Sequence, residues 1–424
     1  MKKFFLSIAS VALLSFATSC SSDDDNTPIT QDDDGGVPID NVLSGVMSED
    51  RELTNDIIWR IEGRYVVPDG ITLTIQEGTI LQGGPGQGAN ASVLIVARGG
   101  TILAEGTADQ PIIFTAAGDN IQLGETAGTN LDENDRGLWG GVIVLGRAPS
   151  SFEGDAPEWQ IEGIPANDPN GRYGGDIPND NSGILKYVSI RHGGTLIGEG
   201  NEINGLTLGG VGNGTVIDHI EVVANVDDGI EWFGGTVNSS NLVVWSCGDD
   251  AFDLDQAYSG TISNILGVQG DNSDHAFEID GPEGTLEGSF TINDATLIGN
   301  LDAVNGEYAD YRDGAMGATN NVYAIGFKTD SDVELDNNGV AQNFLDGKLT
   351  FSNWEITLPN GVANANDIFA EKTADGENPI ILNPTFTERA ADWSTAVPAG
   401  GNTVGADLSV FSWTYTMQRA NLGF

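Results

Sequence analysis

The chain has 424 residues, 58 of them glycine, and sets 63 acidic side chains against 17 basic ones for a formal charge of −46. So few bases, with no cluster among them, exclude a nucleic-acid binder, whose affinity rests on Lys and Arg laid against phosphates. They also argue against unaided capture of polyanionic glycans, whereas a dense acidic surface suits solubility, a saline habitat or divalent cations.

Residues 1–19 begin with Lys2 and Lys3, stay mostly apolar from Phe4 to Phe16, and end on Ala17, Thr18 and Ser19. That is the pattern of a secretory signal peptide, too short for a spanning helix. The small residues running into Cys20 resemble a lipobox, which implies cleavage before Cys20 and lipidation of its thiol. No later stretch reaches the ~18 consecutive apolar residues of a membrane span, so a soluble body on a lipid tether is expected. Residues 20–40 contain two aspartate triplets and almost nothing to bury, the composition of a disordered linker. Cys20 followed by Ser21, Ser22, Asp23, Asp24 and Asp25 resembles the acidic export signal of Bacteroidota surface lipoproteins. The resemblance implies an outer-membrane anchor facing the cell surface. With Cys20 lipidated, Cys247 has no intrachain partner and reads as a small buried residue.

From residue 70 onward, short runs rich in Val, Ile and Thr recur at 70–84, 92–117, 139–146, 183–194, 204–225, 240–255 and 260–281. Each is strand-length and bounded by Gly, Asn or Asp. Three acidic segments align: DDGIEW from 227, DDAFDL from 249 and DHAFEI from 274. Asp228 to Asp250 is 22 residues and Asp250 to His275 is 25, a period that predicts one coil of a parallel β-helix. This all-β solenoid is expected over 41–385, with 386–424 capping the open strand edges of the last coil. The insertions 118–137 and 147–182 should project from coil corners, and Trp159, Arg172 and Tyr173 of the longer one are candidate ligand contacts. The runs YVVPDGITLTIQEGTILQG and LIVARGGTILAEGTADQPIIFTAA resemble the first coils of pectin-lyase-like β-helices, which implies a right-handed, single-stranded helix.

Strand alternation orients the acidic segments. With Ile230, Trp232, Phe252, Leu254, Phe277 and Ile279 inside, Glu231, Phe233, Asp253, Asp255, Glu278 and Asp280 point outward as candidate binding residues. Coils stack ~4.8 Å apart, so Glu231, Asp253 and Glu278 form a column of like charges repelling by roughly 1 kcal/mol per neighbouring pair in solvent. A cation, raised pKa values, or water and salt must relieve it. Calcium, which takes six to eight oxygen ligands, is a candidate cofactor without a nameable ligand set. Three histidines (His192, His219, His275) and one remaining thiol argue against zinc. Phe233, Trp139 and Tyr258 are candidate sugar platforms, unless they join Trp232 and Trp245 in the core.

The turns before these strands carry Asp227 and Asp228, then Asp249 and Asp250, then Asp274 and His275. The motifs NVDDG, CGDD and SDH resemble the Asn-x-Asp, Gly-Asp-Asp and His sites of polygalacturonase-type glycoside hydrolases. The resemblance implies Asp228 (or Asp227), Asp249 and Asp250 as general acid and base of an inverting hydrolysis, with His275 assisting. That family's basic Arg-x-Lys strand is missing: 288–300 holds no base, and the nearest arginine is Arg312. The expectation is therefore a surface lipoprotein that binds glycan or another ligand without catalysis, serving an outer-membrane uptake or assembly complex. An inverting glycan hydrolase is the alternative, and a structural or adhesive solenoid the third.

Overall fold

The computed structural model describes residues 41–196, 203–374 and 376–422. The signal segment, Cys20 and the tether 20–40 lie outside the described residues. From Val42 to Ala396 the chain is the expected all-β parallel β-helix, a sheet of 24 strands in which each strand pairs in parallel with its counterparts on adjacent coils. No helix among the described residues is long and apolar enough to cross a membrane.

One coil shows the plan. The short strand Ile230–Phe233 is followed by a turn and the longer strand Ser239–Trp245, after which Phe252–Asp255 begins the next coil. Short strands stack into one face. Long strands bend in the middle and so supply two faces each. The bend is a left-handed residue, repeated in register at Tyr187, His219, Asn241, Asn264, Asp294, Asn321 and Asn353. Left-handed backbone costs an L-residue roughly 1–2 kcal/mol, least for Asn and Asp. Here the side chains repay that strain by bonding along the stack. Asn241 Nδ2 donates to Asp218 Oδ1 (2.7 Å), Asn264 Nδ2 to Asn241 Oδ1 (2.7 Å), Asn321 Nδ2 to Asp294 Oδ1 (2.9 Å) and Asn353 Nδ2 to Asn321 Oδ1 (2.9 Å). His219 stacks on the Tyr187 ring at 4.2 Å instead. His192 also has positive φ, but in the turn just past the strand Gly183–Arg191.

The interior follows the alternation. Ile230, Trp232, Phe252, Leu254, Phe277 and Ile279 all lie in one continuous core. Cys247 joins it, and burial pushes its thiol up to about 12.

The C-terminal end differs from the expected cap. Strand Ser394–Ala396 pairs with Trp354–Ile356, so coiling continues past residue 385. The last coils are filled by the rings of Phe344, Phe351, Phe369, Phe386 and Trp393. The tail then runs back along the flank of the solenoid rather than closing its end. Asp407 N–H donates to Asn264 Oδ1 (2.6 Å) and Ala406 N–H to Thr296 Oγ1 (2.9 Å). Thr416 gives both its N–H and its hydroxyl to Glu221 Oε1 (2.7 and 2.8 Å). Glu221 is fully buried, takes the Ser189 hydroxyl at 2.6 Å and faces the Arg191 guanidinium at 3.6 Å. A strand period marks where coils recur and carries no information about where a polar tail docks.

The bend ladder yields a prediction. Asn321→Ala keeps the left-handed backbone but loses both ladder bonds, and should lower unfolding stability by about 1–3 kcal/mol in urea titrations. Asn321→Gly should lose less, because glycine relieves the backbone strain.

Candidate functional site

The short-strand face carries the acidic column. Register places Thr207, Glu231, Asp253, Glu278, Asp310 and Glu334 at one outward position on successive coils. The column is longer than the three carboxylates legible in the sequence. One step along, the outward position reads Phe233, Asp255, Asp280 and Arg312, since Asp280 N–H donates to Leu254 O (2.7 Å) and Arg312 N–H to Ile279 O (3.0 Å).

Arg312 corrects one sequence expectation. Residues 290–298 pair with Thr261–Val268 on the flank, whereas the coil following His275–Ile279 on this face is Glu307–Tyr311. Arg312 therefore lies on the face itself. Its charge is already engaged: Nε lies 2.6 Å and Nη2 3.3 Å from the two Asp280 oxygens, Nη2 also meets Glu278, and Nη1 is 3.9 Å from Asp310. Lys372 meets Glu334 and lies 3.7 Å from Asp332 one turn further on.

Among the described residues, the upper part of the column has no such counter-ion. One oxygen each of Asp228, Glu231 and Asp253 lie within 4.8 Å of one another. Burial first, and then repulsion from neighbouring carboxylates (chiefly Asp250 for Asp228, Asp228 for Glu231 and Glu231 for Asp253), hold all three carboxyls well above the usual carboxylate range. Asn204 Nδ2 donates to Glu231, while Asp253 Oδ1 is buried without a hydrogen bond. Burial also raises Asp255 and Asp310 to about 7 and Asp280 to about 8.

The turn residues are brought together but are engaged with backbone. Asp228 Oδ1 accepts the Asp250 N–H (2.9 Å), and Asp250 Oδ1 accepts both the His275 N–H (2.7 Å) and His275 Nδ1–H (2.9 Å). Asp228 and Asp250 are only 7% and 1% exposed; Asp249 is exposed. Burial opposes charge on His275, but the Asp250 bond and the charges of Asp250, Asp274 and Asp310 outweigh it and raise the imidazole to about 9.

The aromatic candidates are covered. Phe233 points outward as expected, yet it is 7% exposed because the insertion 147–182 packs Phe152, Ile161, Ile164 and Tyr173 over it. Gly209, one coil above Phe233, makes room: a Cβ there would lie 3.0 Å from the Tyr173 ring. Tyr173 is buried with its hydroxyl on Gln256 Oε1 (2.8 Å), and Arg172 faces Glu158 at 3.9 Å. Trp139 and Tyr258 are core residues, donating to Arg191 O and Val237 O.

What the fold does open is a cleft of about 790 Å³ beyond the C-terminal ends of the short strands. Its walls are Glu153 and Trp159 from the insertion, Asp255 and Asp280 from the column, and Glu283, Asp313 and Glu377 from later turns. Trp159, 37% exposed, lies nearly parallel to Phe152 (5.9 Å, 15°). Glu153, Glu283, Asp313 and Glu377 belong to no repeat, which is why the sequence did not single them out.

Three all-carboxylate sets have the donor chemistry for a hard divalent cation: Asp227, Asp228 and Asp249; Asp228, Glu231 and Asp253; and Asp310, Glu334 and Asp336. Each supplies three oxygens of the six to eight that calcium takes. The last set already has Lys372 beside Glu334.

The raised carboxyls fix a pH dependence. Between the unfolded carboxyl value of ~4 and the folded values of about 7 to 8, the folded chain holds more protons than the unfolded one. Stability should be fully present below pH ~4 with respect to these groups and fall as pH rises to about 8; His275 at about 9 extends the fall. Urea unfolding at pH 5, 7 and 9 measures it. Asp253→Asn, which removes one buried like charge, should raise stability at pH 8 and flatten the slope.

No curated protein and no solved structure matches the chain. A family model for the pectate-lyase like beta helix domain matches residues 45–415, nearly all of the described body. With its parallel coils and this match, the chain belongs to the pectate-lyase-like β-helix family.

Proposed function

We propose that this chain is a surface-anchored outer-membrane lipoprotein that holds a glycan in the acidic cleft without cleaving it. The carrying observation is where the open surface lies. The cleft is lined by Asp255 and Asp280, at the far ends of strands that begin beside Asp250 and His275, five residues or ~16 Å of extended chain away. Asp228 and Asp250 face the next coil's backbone instead, a bonding pattern that caps stacked turns. A rigid tryptophan beside several hydrogen-bond acceptors is a sugar platform, apolar on one side and polar on the other. The signal segment, Cys20 and the acidic linker support the surface anchor, which would present the cleft to an outer-membrane uptake or assembly complex.

One observation favours a hydrolase as the second reading: Asp250, His275 and Glu278 place ligand atoms within 4.8 Å of one another on adjacent coils, the register that the polygalacturonase-like motifs imply.

A panel of neutral, amino and acidic oligosaccharides, titrated calorimetrically and assayed for released reducing ends, separates the two. We expect binding without release, and Trp159→Ala should weaken the binding about tenfold, roughly 1.4 kcal/mol, with Tm unchanged. Release of reducing ends that Asp250→Asn abolishes at unchanged Tm would overturn the non-catalytic reading and assign the hydrolase.

A further inference from the structure

We propose that the cleft selects glycans carrying protonated amines, that is amino-sugar oligomers, over neutral and acidic ones. The inference rests on the glycan-binding reading and adds the chemical class of its ligand.

Three independent features converge. The first is the sign of the walls. Asp255, Asp280, Glu283, Asp313 and Glu377 line the cleft, and none of the described lining residues is basic. The second is that the bases along this face are already paired: Arg312 with Asp280 of the cleft wall and with Glu278 and Asp310 beside it, and Lys372 with Glu334 and Asp332. A uronate entering here would find like charge and no free guanidinium or ammonium. The third is the Trp159 ring. It comes from the insertion, not the acidic column, and is held against Phe152 with part of its surface open to the cleft. An indole face attracts a cation as well as the C–H face of a sugar ring.

Desolvation separates an amine from a hydroxyl. A neutral sugar can donate hydroxyl hydrogens to the carboxylates, but it displaces water while leaving their charges crowded, and burying unpaired charge is costly. An ammonium group supplies the missing opposite charge with charge-assisted hydrogen bonds. Burial lets Asp255 and Asp280 hold their protons in part near neutral pH, and an ammonium partner draws both toward the ionised form.

The test uses the full chain and three oligomers of equal length: a glucosamine pentamer, its N-acetylated counterpart and a galacturonate pentamer, titrated calorimetrically near neutral pH. The glucosamine pentamer should bind at least tenfold more tightly than the N-acetylated one. That preference should shrink with added salt and collapse in a Glu283→Gln/Asp313→Asn double variant, in which the glucosamine pentamer loses at least fivefold more affinity than the N-acetylated one. Equal or tighter binding of the N-acetylated or galacturonate pentamer overturns amine selectivity and leaves glycan binding standing. A preference that survives both the double variant and Trp159→Ala overturns the assignment to this cleft, because the amine is then held elsewhere on the acidic surface. No binding of any pentamer overturns both readings.

Discussion

A parallel β-helix places each side chain directly over its counterpart one coil away, at the ~4.8 Å spacing of paired strands. Whatever a sequence puts at an outward position is therefore met by its own repeat. In this chain the repeated residue is a carboxylate, from Glu231 through Asp253, Glu278 and Asp310 to Glu334. The repulsion along that column is set by backbone hydrogen bonding, so it cannot be relaxed by moving the side chains far apart.

The lower coils are compensated by Arg312 and Lys372, set at the ends of their strands. On the upper coils burial and crowding push the carboxyls toward the protonated form, and the surrounding surface is closed off by the insertion that buries Phe233 and Tyr173. Between the two regimes the strand ends open into the cleft, where carboxylates meet the Trp159 ring. Coil stacking thus produces both the crowding of charge and an open cleft at its edge. The Asp228, Asp250 and His275 turns belong to the same stacking logic, since each carboxylate there accepts a backbone N–H from the following coil.

The parts of this arrangement that repeat were legible in the sequence. The spacing of Asp228, Asp250 and His275 gave the coil, and alternation sent Ile230, Trp232, Phe252, Leu254, Phe277 and Ile279 inward as observed. The bend ladder left only a weak trace, because asparagines such as Asn241, Asn264 and Asn321 mark turns as readily as left-handed bends within a strand. What does not repeat was hidden. The step from His275 to Glu307 is longer than the preceding coils, which concealed Arg312 among the face residues. The insertion's packing follows from the shape complementarity of Phe152, Tyr173 and Gly209, for which periodicity offers no signal. Trp139 and Tyr258 read as candidate sugar platforms, yet both lie in the core with their polar atoms bonded to backbone carbonyls, so an aromatic ring near the acidic strands did not mean exposure.

The most direct test of where function resides is a crystal structure of the chain soaked with the tightest-binding oligosaccharide. The sugar is predicted to lie in the cleft, stacked on Trp159 and within hydrogen-bond distance of Asp255, Asp280 or Asp313. A sugar bound instead across Asp249, Asp250 and His275, with its glycosidic oxygen at an aspartate, would contradict the assignment and place the working surface at the turns.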